Sequence, residues 1–131
     1  MTRTTSRRHT MQRQQTLPEI QRVIAPSRVE GAAAQRLQEE MCRHAGAGRC
    51  RIALDMSAVE RIDSRGLAVL IQSARRARAE GGELVLVLPS PPVRNILELT
   101  RIHRSVDIVD DERAAYATLT ALPLNDVVHA A

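Results

Sequence analysis

Leu84–Leu88 is the segment that most restricts how this chain can fold. It reads LVLVL, the most hydrophobic run in the sequence, and it lies between Gly81-Gly82 and Pro89-Ser90-Pro91-Pro92. The turn residues on both sides limit the run to the length of a strand. A strand without polar alternation is typical of a sheet that helices cover on both faces. The run therefore predicts the α/β class.

The remaining apolar patterns supply the partners of this strand. Further strands are predicted at Ile20–Ala25, Cys50–Met56 and Val106–Val109. Helices are predicted from Ala32 to about Ala45, from around Ser64 to a stop at Gly81-Gly82, and after an Asp110 cap. Another helix is predicted after Pro89-Ser90-Pro91-Pro92, and it carries Val93, Ile96, Leu97 and Thr100. The buried stripe of the first helix is expected at Ala33, Leu37, Met41 and Ala45. We expect a small mixed or parallel sheet of four to five strands, packed with about four helices.

The charge distribution separates a leader from a balanced domain. The chain has 19 Arg and no Lys. Residues 1–16 hold four of these Arg and no acidic residue. Residues 17–131 hold 15 Arg and 15 acidic residues. We expect a disordered basic leader at 1–17, a domain at 18–122 and a C-terminal tail at 123–131, with a faint strand pattern inside the leader at 10–16. Direct nucleic-acid binding by the folded domain is not expected, because its charge is balanced.

Other classes of function lack their characteristic residues. Cys42, Cys50 and four scattered His have no metal-ligand spacing, and the absence of Lys excludes a Lys-containing phosphate-binding loop. No apolar run approaches the ~18 residues of a membrane span, and no secretory signal is visible. No catalytic constellation is present either. We expect a cytoplasmic protein that is not an enzyme and that uses no metal or cofactor.

Residues 61–67, which read RIDSRGL, are the most informative part of the chain. They connect a predicted strand to a predicted helix, and either Asp63 or Ser64 fits the N-cap, where a side-chain oxygen accepts free first-turn amides. A purely structural cap explains the pair. A functional interpretation is that Ser64 is phosphorylated, because a helix N-terminus stabilises added negative charge.

From about Ile20 to Leu119 the chain resembles the STAS domain, the fold of bacterial anti-sigma-factor antagonists. The similarity rests on DMSAVERIDSRGLAVL at residues 55–70, on Gly81-Gly82 followed by LVLVLPSPPVRNILEL, and on VDIVDDERAAY. These segments occur in the order of the family pattern. Three features depart from it: Arg65 replaces a small hydroxyl residue, Ser27 replaces a glycine, and basic polar sequence stands where the family has its first strand.

The resemblance implies a function and a set of site residues. Ser64 falls on the family's switch serine. In that family an anti-sigma factor that is also a serine kinase phosphorylates this serine, and a phosphatase removes the phosphate. Phosphorylation would end the binding that frees a sigma factor. Arg65 would pair with the phosphate or face solvent, and Gly66 would let a partner or nucleotide approach the backbone. The residues expected to bind the partner are Glu30, Asp55, Ser57, Asp63, Arg65, Gly66, Leu67 and Ser90.

Two other functions and one other surface stay open. The chain would fit a STAS subunit of another assembly, such as a stress-signalling complex or a lipid-transport ATPase. It would also fit a nucleic-acid-associated protein that uses its basic leader. Arg75-Arg76-Ala77-Arg78 suits a solvated helix face or a partner-binding face.

Overall fold

The computed structural model describes residues 19–122. In chain order the strands are β1 (Ile20–Ile24), β2 (Arg28–Val29), β3 (Arg51–Asp55), β4 (Arg61–Ile62), β5 (Glu83–Val87) and β6 (Asp107–Val109). The helices are α1 (Gly31–Gly46), α2 (Ser64–Ala79), α3 (Pro91–Leu99) and α4 (Glu112–Thr120), and a 3-10 turn covers Ile102–Arg104. The predicted leader, its 10–16 strand and the tail lie outside the described residues.

The strands form two parallel sheets. The main sheet has the order β1-β3-β5-β6, and the register places Leu54 beside Leu86. A small second sheet pairs β2 with β4, with Arg28 beside Arg61 and Val29 beside Ile62. Because parallel strands end at the same edge, the helices that follow them begin at that edge. We call it the carboxyl edge of the sheet. The predicted α/β class with about four helices is confirmed.

The main sheet separates two hydrophobic clusters. Side chains alternate along a strand, so Ile52 and Leu54 of β3 face one side while Ala53 faces the other. The larger cluster takes up Ile52, Leu54, Leu84 and Leu86 together with residues of α1, α2 and α3. The smaller cluster consists of Ala53, Val85, Val87, Ala115 and Leu119, under α4. Helices on both faces explain why the central strands are apolar throughout.

The structure corrects three local predictions. β5 ends at Val87, and Leu88 is 42% exposed with a left-handed φ of 60°. The cap of α4 is Asp111, one residue after the predicted Asp110, since its side chain accepts from the Ala114 amide. In α1 the buried residue is Ala34 and not Ala33, because 3.6 residues per turn do not hold a strict spacing of four.

Arg51 was not anticipated as a core residue. It lies in β3 and is 6% exposed. Its guanidinium donates to the carbonyl oxygens of Leu119 at 2.6 Å and Leu122 at 3.2 Å, at the C-terminal end of α4. A cation there satisfies carbonyls that have no partner within the helix. Arg51 thereby ties α4 to the sheet.

We predict that Leu86→Ala lowers the free energy of unfolding by about 2–5 kcal/mol, since a buried leucine leaves a cavity. Leu86 is fully buried at the centre of the larger cluster. Leu99→Ala is the control, because Leu99 is 84% exposed and surface changes usually stay within about 0.5 kcal/mol. Denaturant melts measure both variants. Equal stabilities of the two variants would contradict the placement of β5.

Candidate functional site

The carboxyl edge of the sheet gathers most of the predicted site residues. Three of the four helices begin there with a predicted site residue at the N-cap: Glu30 for α1, Asp63 for α2 and Ser90 for α3. Only Asp63 among these three makes a side-chain capping bond. The geometry around Asp63 therefore determines how the edge is built.

The Asp63 carboxylate contacts the first turns of two helices. Its Oδ1 accepts from the Gly66 amide of α2 at 2.8 Å, and its Oδ2 accepts from the Gly31 amide of α1 at 3.4 Å. The Asp63 amide itself donates to the Val29 carbonyl at 3.4 Å. A negative charge between two helix N-termini is favourable, because both carry unsatisfied donors and positive dipole ends. Asp63 is thus the cap, which decides between the two predicted candidates.

Ser64 is the first residue of α2 and is exposed. Within residues 19–122 its hydroxyl has no hydrogen-bond partner, since Asp63 performs the capping. The Ser64 hydroxyl therefore has no structural role within the described residues. A modifying enzyme can reach it without opening the fold.

Gly66 has an internal role that differs from the predicted one. It is buried, and an added Cβ would lie 2.2 Å from the Val29 carbonyl oxygen and 2.7 Å from Cγ1 of Ile62. The space left by its missing side chain is filled by β2 and β4, and is not open to a partner. Leu67, the next residue, is half-buried and packs against the larger cluster.

Arginines surround the start of α2. Arg28 and Arg61 lie side by side in the small sheet and are both exposed. Glu30 offsets this pair of like charges, because its Oε2 is 3.3 Å from Nε of Arg61. Arg65 is exposed and makes no ion pair within residues 19–122. The predicted residues Glu30 and Arg65 therefore lie on the same side of the molecule as Ser64.

Asp55 belongs to a different network from Ser64. Its Oδ2 contacts Nη2 of Arg22 at 2.8 Å, and the Nε of Arg22 contacts Glu112 of α4 at 2.6 Å. Its Oδ1 accepts from the amide of Ser57 at 2.9 Å. This places the carboxylate on the face that α4 covers, opposite the face on which α2 packs. The structure does not bring Asp55 together with Ser64.

The surroundings of Asp55 keep it ionised. Burial opposes its charge, but the hydrogen bonds from Ser57 and the positive charge of Arg22 outweigh that effect, so the pKa of Asp55 is lowered from its ordinary value. The negative charge fixes the start of the loop after β3. Ser57 is exposed in that loop, and Ser90 is half-buried.

Two apolar residues at the edge were missed by sequence reasoning. Ile24 is 57% exposed at the end of β1 and lines a groove of about 310 Å³ together with Pro26, Arg36 and Leu37. Leu88 is exposed at the end of β5. Ile24 was predicted only as part of the alternating strand Ile20–Ala25, and Leu88 as the end of a strand buried on both faces. The proline after Leu88 is the one local signal that this strand ends there.

Comparison with known proteins shows which family this chain belongs to. The STAS domain family matches residues 18–115. A protein of Bordetella bronchiseptica (strain RB50) named "Putative anti-sigma factor antagonist BtrV" is 33% identical over 96 residues, which cover 72% of this chain and 83% of that protein. The chain belongs to the STAS domain family.

Solved structures agree on the fold. The anti-sigma factor antagonist SpoIIAA in its unphosphorylated form superposes with a TM-score of 0.67 at 16% identity, covering 80% of this chain and 92% of SpoIIAA. Murine solute carrier 26 family member A9, an anion transporter, superposes with a TM-score of 0.64 at 17% identity. That match covers 78% of this chain and 18% of the transporter. At such identities the likeness concerns the STAS fold alone.

Two further findings concern residues 19–122 only. No cluster of three or more His, Cys, Asp or Glu in that range could hold a metal ion. No helix in that range is long and apolar enough to cross a membrane.

We predict that Gly66→Ala destabilises this STAS domain by about 1–3 kcal/mol, because the new methyl group overpacks a backbone contact. Gly46→Ala is the matched control. There the nearest atom to an added Cβ is Nη2 of Arg76 at 3.1 Å, the end of a flexible side chain. In a helix, alanine normally exceeds glycine in stability, so the control is expected to equal or exceed the parent protein. Thermal melts of the two variants that shift in the same direction would contradict the close approach of α2 to β2.

Proposed function

We propose that this STAS protein is an anti-sigma-factor antagonist that phosphorylation of Ser64 switches off. In its unphosphorylated form it binds an anti-sigma factor that is also a serine kinase, and this binding frees a sigma factor for transcription. The kinase then phosphorylates Ser64, the complex separates, and a phosphatase restores the antagonist. The observation that carries the proposal is the exposed Ser64 hydroxyl, left free by the Asp63 cap at the first turn of α2.

The position of Ser64 suits a reversible charge. A phosphate there adds about −1.5 to −2 charges, and the dipole and first-turn amides of α2 stabilise it. Asp63 is the adjacent negative charge, and its two oxygens are already engaged by Gly66 and Gly31. The first turn is therefore held independently of the phosphate. The added charge changes the surface and leaves the core unaltered.

Residues around the carboxyl edge form the proposed partner surface. Glu30, Arg65 and Ser57 would contact the partner directly, since all three lie at this edge, and Leu67 and Ser90 would complete its apolar and polar margins. Asp63 and Gly66 set the position of Ser64, and Asp55 sets that of Ser57 through its hydrogen bond. The partner thus meets one surface whose shape is fixed by buried contacts.

Relatives favour this function over that of a subunit in another assembly. The proteins named anti-sigma factor antagonists include one at 33% identity and an anti-sigma F factor antagonist of Paenibacillus polymyxa at 26% identity. The transporter likeness is at 17% identity and concerns fold. SpoIIAA has also been solved in a phosphorylated form, which superposes with a TM-score of 0.55. In this proposal the protein acts in the cytoplasm. Its residues 18–122 form a binding domain that catalyses no reaction.

Substitutions at Ser64 test the switch. Ser64→Ala is expected to bind the anti-sigma factor encoded nearest to this gene as well as the parent protein does. Ser64→Asp is expected to bind at least about tenfold more weakly, because it places a fixed negative charge on the interface. Ser105→Asp is the control for net charge, since Ser105 is exposed two residues before the start of β6, away from the carboxyl edge.

Binding is measured by calorimetric titration, and thermal melts show that every variant is folded. All three are expected to melt within a few degrees of the parent protein, because surface and cap changes cost about 1 kcal/mol or less. Equal affinities of Ser64→Ala and Ser64→Asp would refute Ser64 as the switch. Loss of binding in Ser105→Asp as well would attribute the effect to net charge.

A further inference from the structure

The second helix, α2, carries positive charge without negative charge. Its 16 residues include Arg65, Arg75, Arg76 and Arg78, and no Asp or Glu. Elsewhere in residues 19–122 the charges are mixed, with 11 Arg against 14 acidic residues. The four arginines of α2 are all exposed. The helix that begins at Ser64 is therefore a local positive surface on an almost neutral domain.

The exposed side of α2 forms one continuous stripe. Successive residues turn by about 100° around a helix, so positions 65, 68, 72, 75, 76 and 79 share one side. Among them Arg65, Gln72, Arg75 and Arg76 are exposed, and we call these four residues the arginine stripe. At 1.5 Å per residue the stripe extends about 16 Å from the first turn of α2. It is continuous with Ser64.

Internal ion pairs neutralise only part of this charge. Arg76 pairs with Glu80 at 3.2 Å, and Arg78 pairs with Glu83 at 2.8 Å. Within residues 19–122, Arg65 and Arg75 have no ion pair. They leave two unbalanced positive charges on the stripe.

The neighbouring helix does not supply the missing negative charges. Gln38 of α1 contacts Gln72 through a hydrogen bond of 2.8 Å. The acidic residues of α1 are engaged within α1, where Glu39 accepts from Gln35 and Glu40 lies 3.7 Å from His44. The unbalanced charge of the stripe is therefore available to another molecule.

We propose that the arginine stripe docks an acidic surface of the partner protein. The inference rests on the proposed function and adds the chemistry of the partner: carboxylates that face Arg65 and Arg75. It also explains why phosphorylation of Ser64 would weaken binding to the partner. A phosphate on Ser64 places negative charge at the end of the stripe, where the partner's carboxylates lie, so that it repels them.

A protein partner fits the stripe better than a nucleic acid does. Two unbalanced arginines over about 16 Å are fewer than the about 6–10 phosphate contacts typical of a DNA-binding surface. The domain also has one aromatic residue, Tyr116, on α4, so it offers no stacking surface along α2. Short, directed pairing with carboxylates suits the fixed spacing of Arg65 and Arg75.

Charge reversal in the full chain tests the inference. Arg75→Glu is expected to weaken binding to the anti-sigma factor at least about tenfold, since it places like charges together across the interface. Arg104→Glu is the matched control, because Arg104 is exposed in the 3-10 turn before β6, at the edge of the sheet opposite the carboxyl edge. It makes the same change in net charge and is expected to leave the affinity within about twofold. Thermal melts show that both variants are folded.

A second comparison uses salt and a reciprocal change. The affinity of the parent protein is expected to fall as ionic strength rises from about 0.05 M to about 0.5 M, because salt screens exposed charges. Arg75→Glu is expected to lose most of this dependence. Replacing the partner's acidic residues by Lys, one at a time, is expected to restore binding of Arg75→Glu in at least one case.

Each result has a distinct meaning. If the parent protein binds the anti-sigma factor and Arg75→Glu binds equally well, the docking inference is wrong and the proposed function stands. If the parent protein does not bind any anti-sigma factor, the proposed function fails and the inference fails with it. If Arg75→Glu loses affinity for a DNA duplex while keeping its affinity for the protein partner, the stripe is a nucleic-acid surface and the inference is overturned.

Discussion

One carboxylate holds the start of two helices in this STAS domain. Asp63 accepts hydrogen bonds from the Gly66 amide of α2 and the Gly31 amide of α1. The two helices can meet there only because Gly66 lets α2 approach the Val29 carbonyl of β2. The cap and the glycine thus depend on each other: a larger residue at position 66 would move the amide that Asp63 binds. Ser64 lies between Asp63 and Gly66, and their contacts fix its position. The Ser64 side chain itself takes no part in these contacts.

That division of tasks explains how a switch can be built into a stable fold. Each cap contributes about 1 kcal/mol, and the large cluster behind α2 provides the main stabilisation through buried leucines and valines. Neither depends on the Ser64 side chain, which is exposed. Under the proposed function, the charge of a phosphate on Ser64 would therefore act on the partner that approaches the carboxyl edge and not on the core. The arginines along α2 extend the same electrostatic surface away from Ser64.

Local patterns were sufficient to predict much of this architecture. The LVLVL run predicted the buried β5, and the acid and serine before an amphipathic stretch predicted the start of α2 with Asp63 as one of two caps. Both follow from interactions among residues close in sequence. The predicted end of the strand at Leu88 was wrong, because Leu88 takes a left-handed φ of 60° directly before Pro89 and lies outside β5.

Long-range contacts lay beyond such patterns. Arg51 binds carbonyls 68 and 71 residues away, and Arg22 joins Asp55 to Glu112 across 33 and 90 residues. Nothing in the sequence around Arg51 distinguishes a buried arginine from a solvated one. The expectation that Asp55 lies at the same site as Ser64 failed for a similar reason. The sequence does not reveal which face of the sheet a carboxylate at the end of a strand occupies.

If the proposed function is correct, a single phosphate on Ser64 controls partner binding while the fold is retained. The most direct measurement is to incubate the purified full chain with the anti-sigma-factor kinase and ATP, locate the phosphate by mass spectrometry, and titrate both forms against the partner. The expected result is one phosphate, on Ser64, together with an unchanged amide NMR spectrum for the core and a loss of binding. A phosphate on another residue, or a Ser64-phosphorylated form that binds as tightly as the unmodified chain, would contradict it.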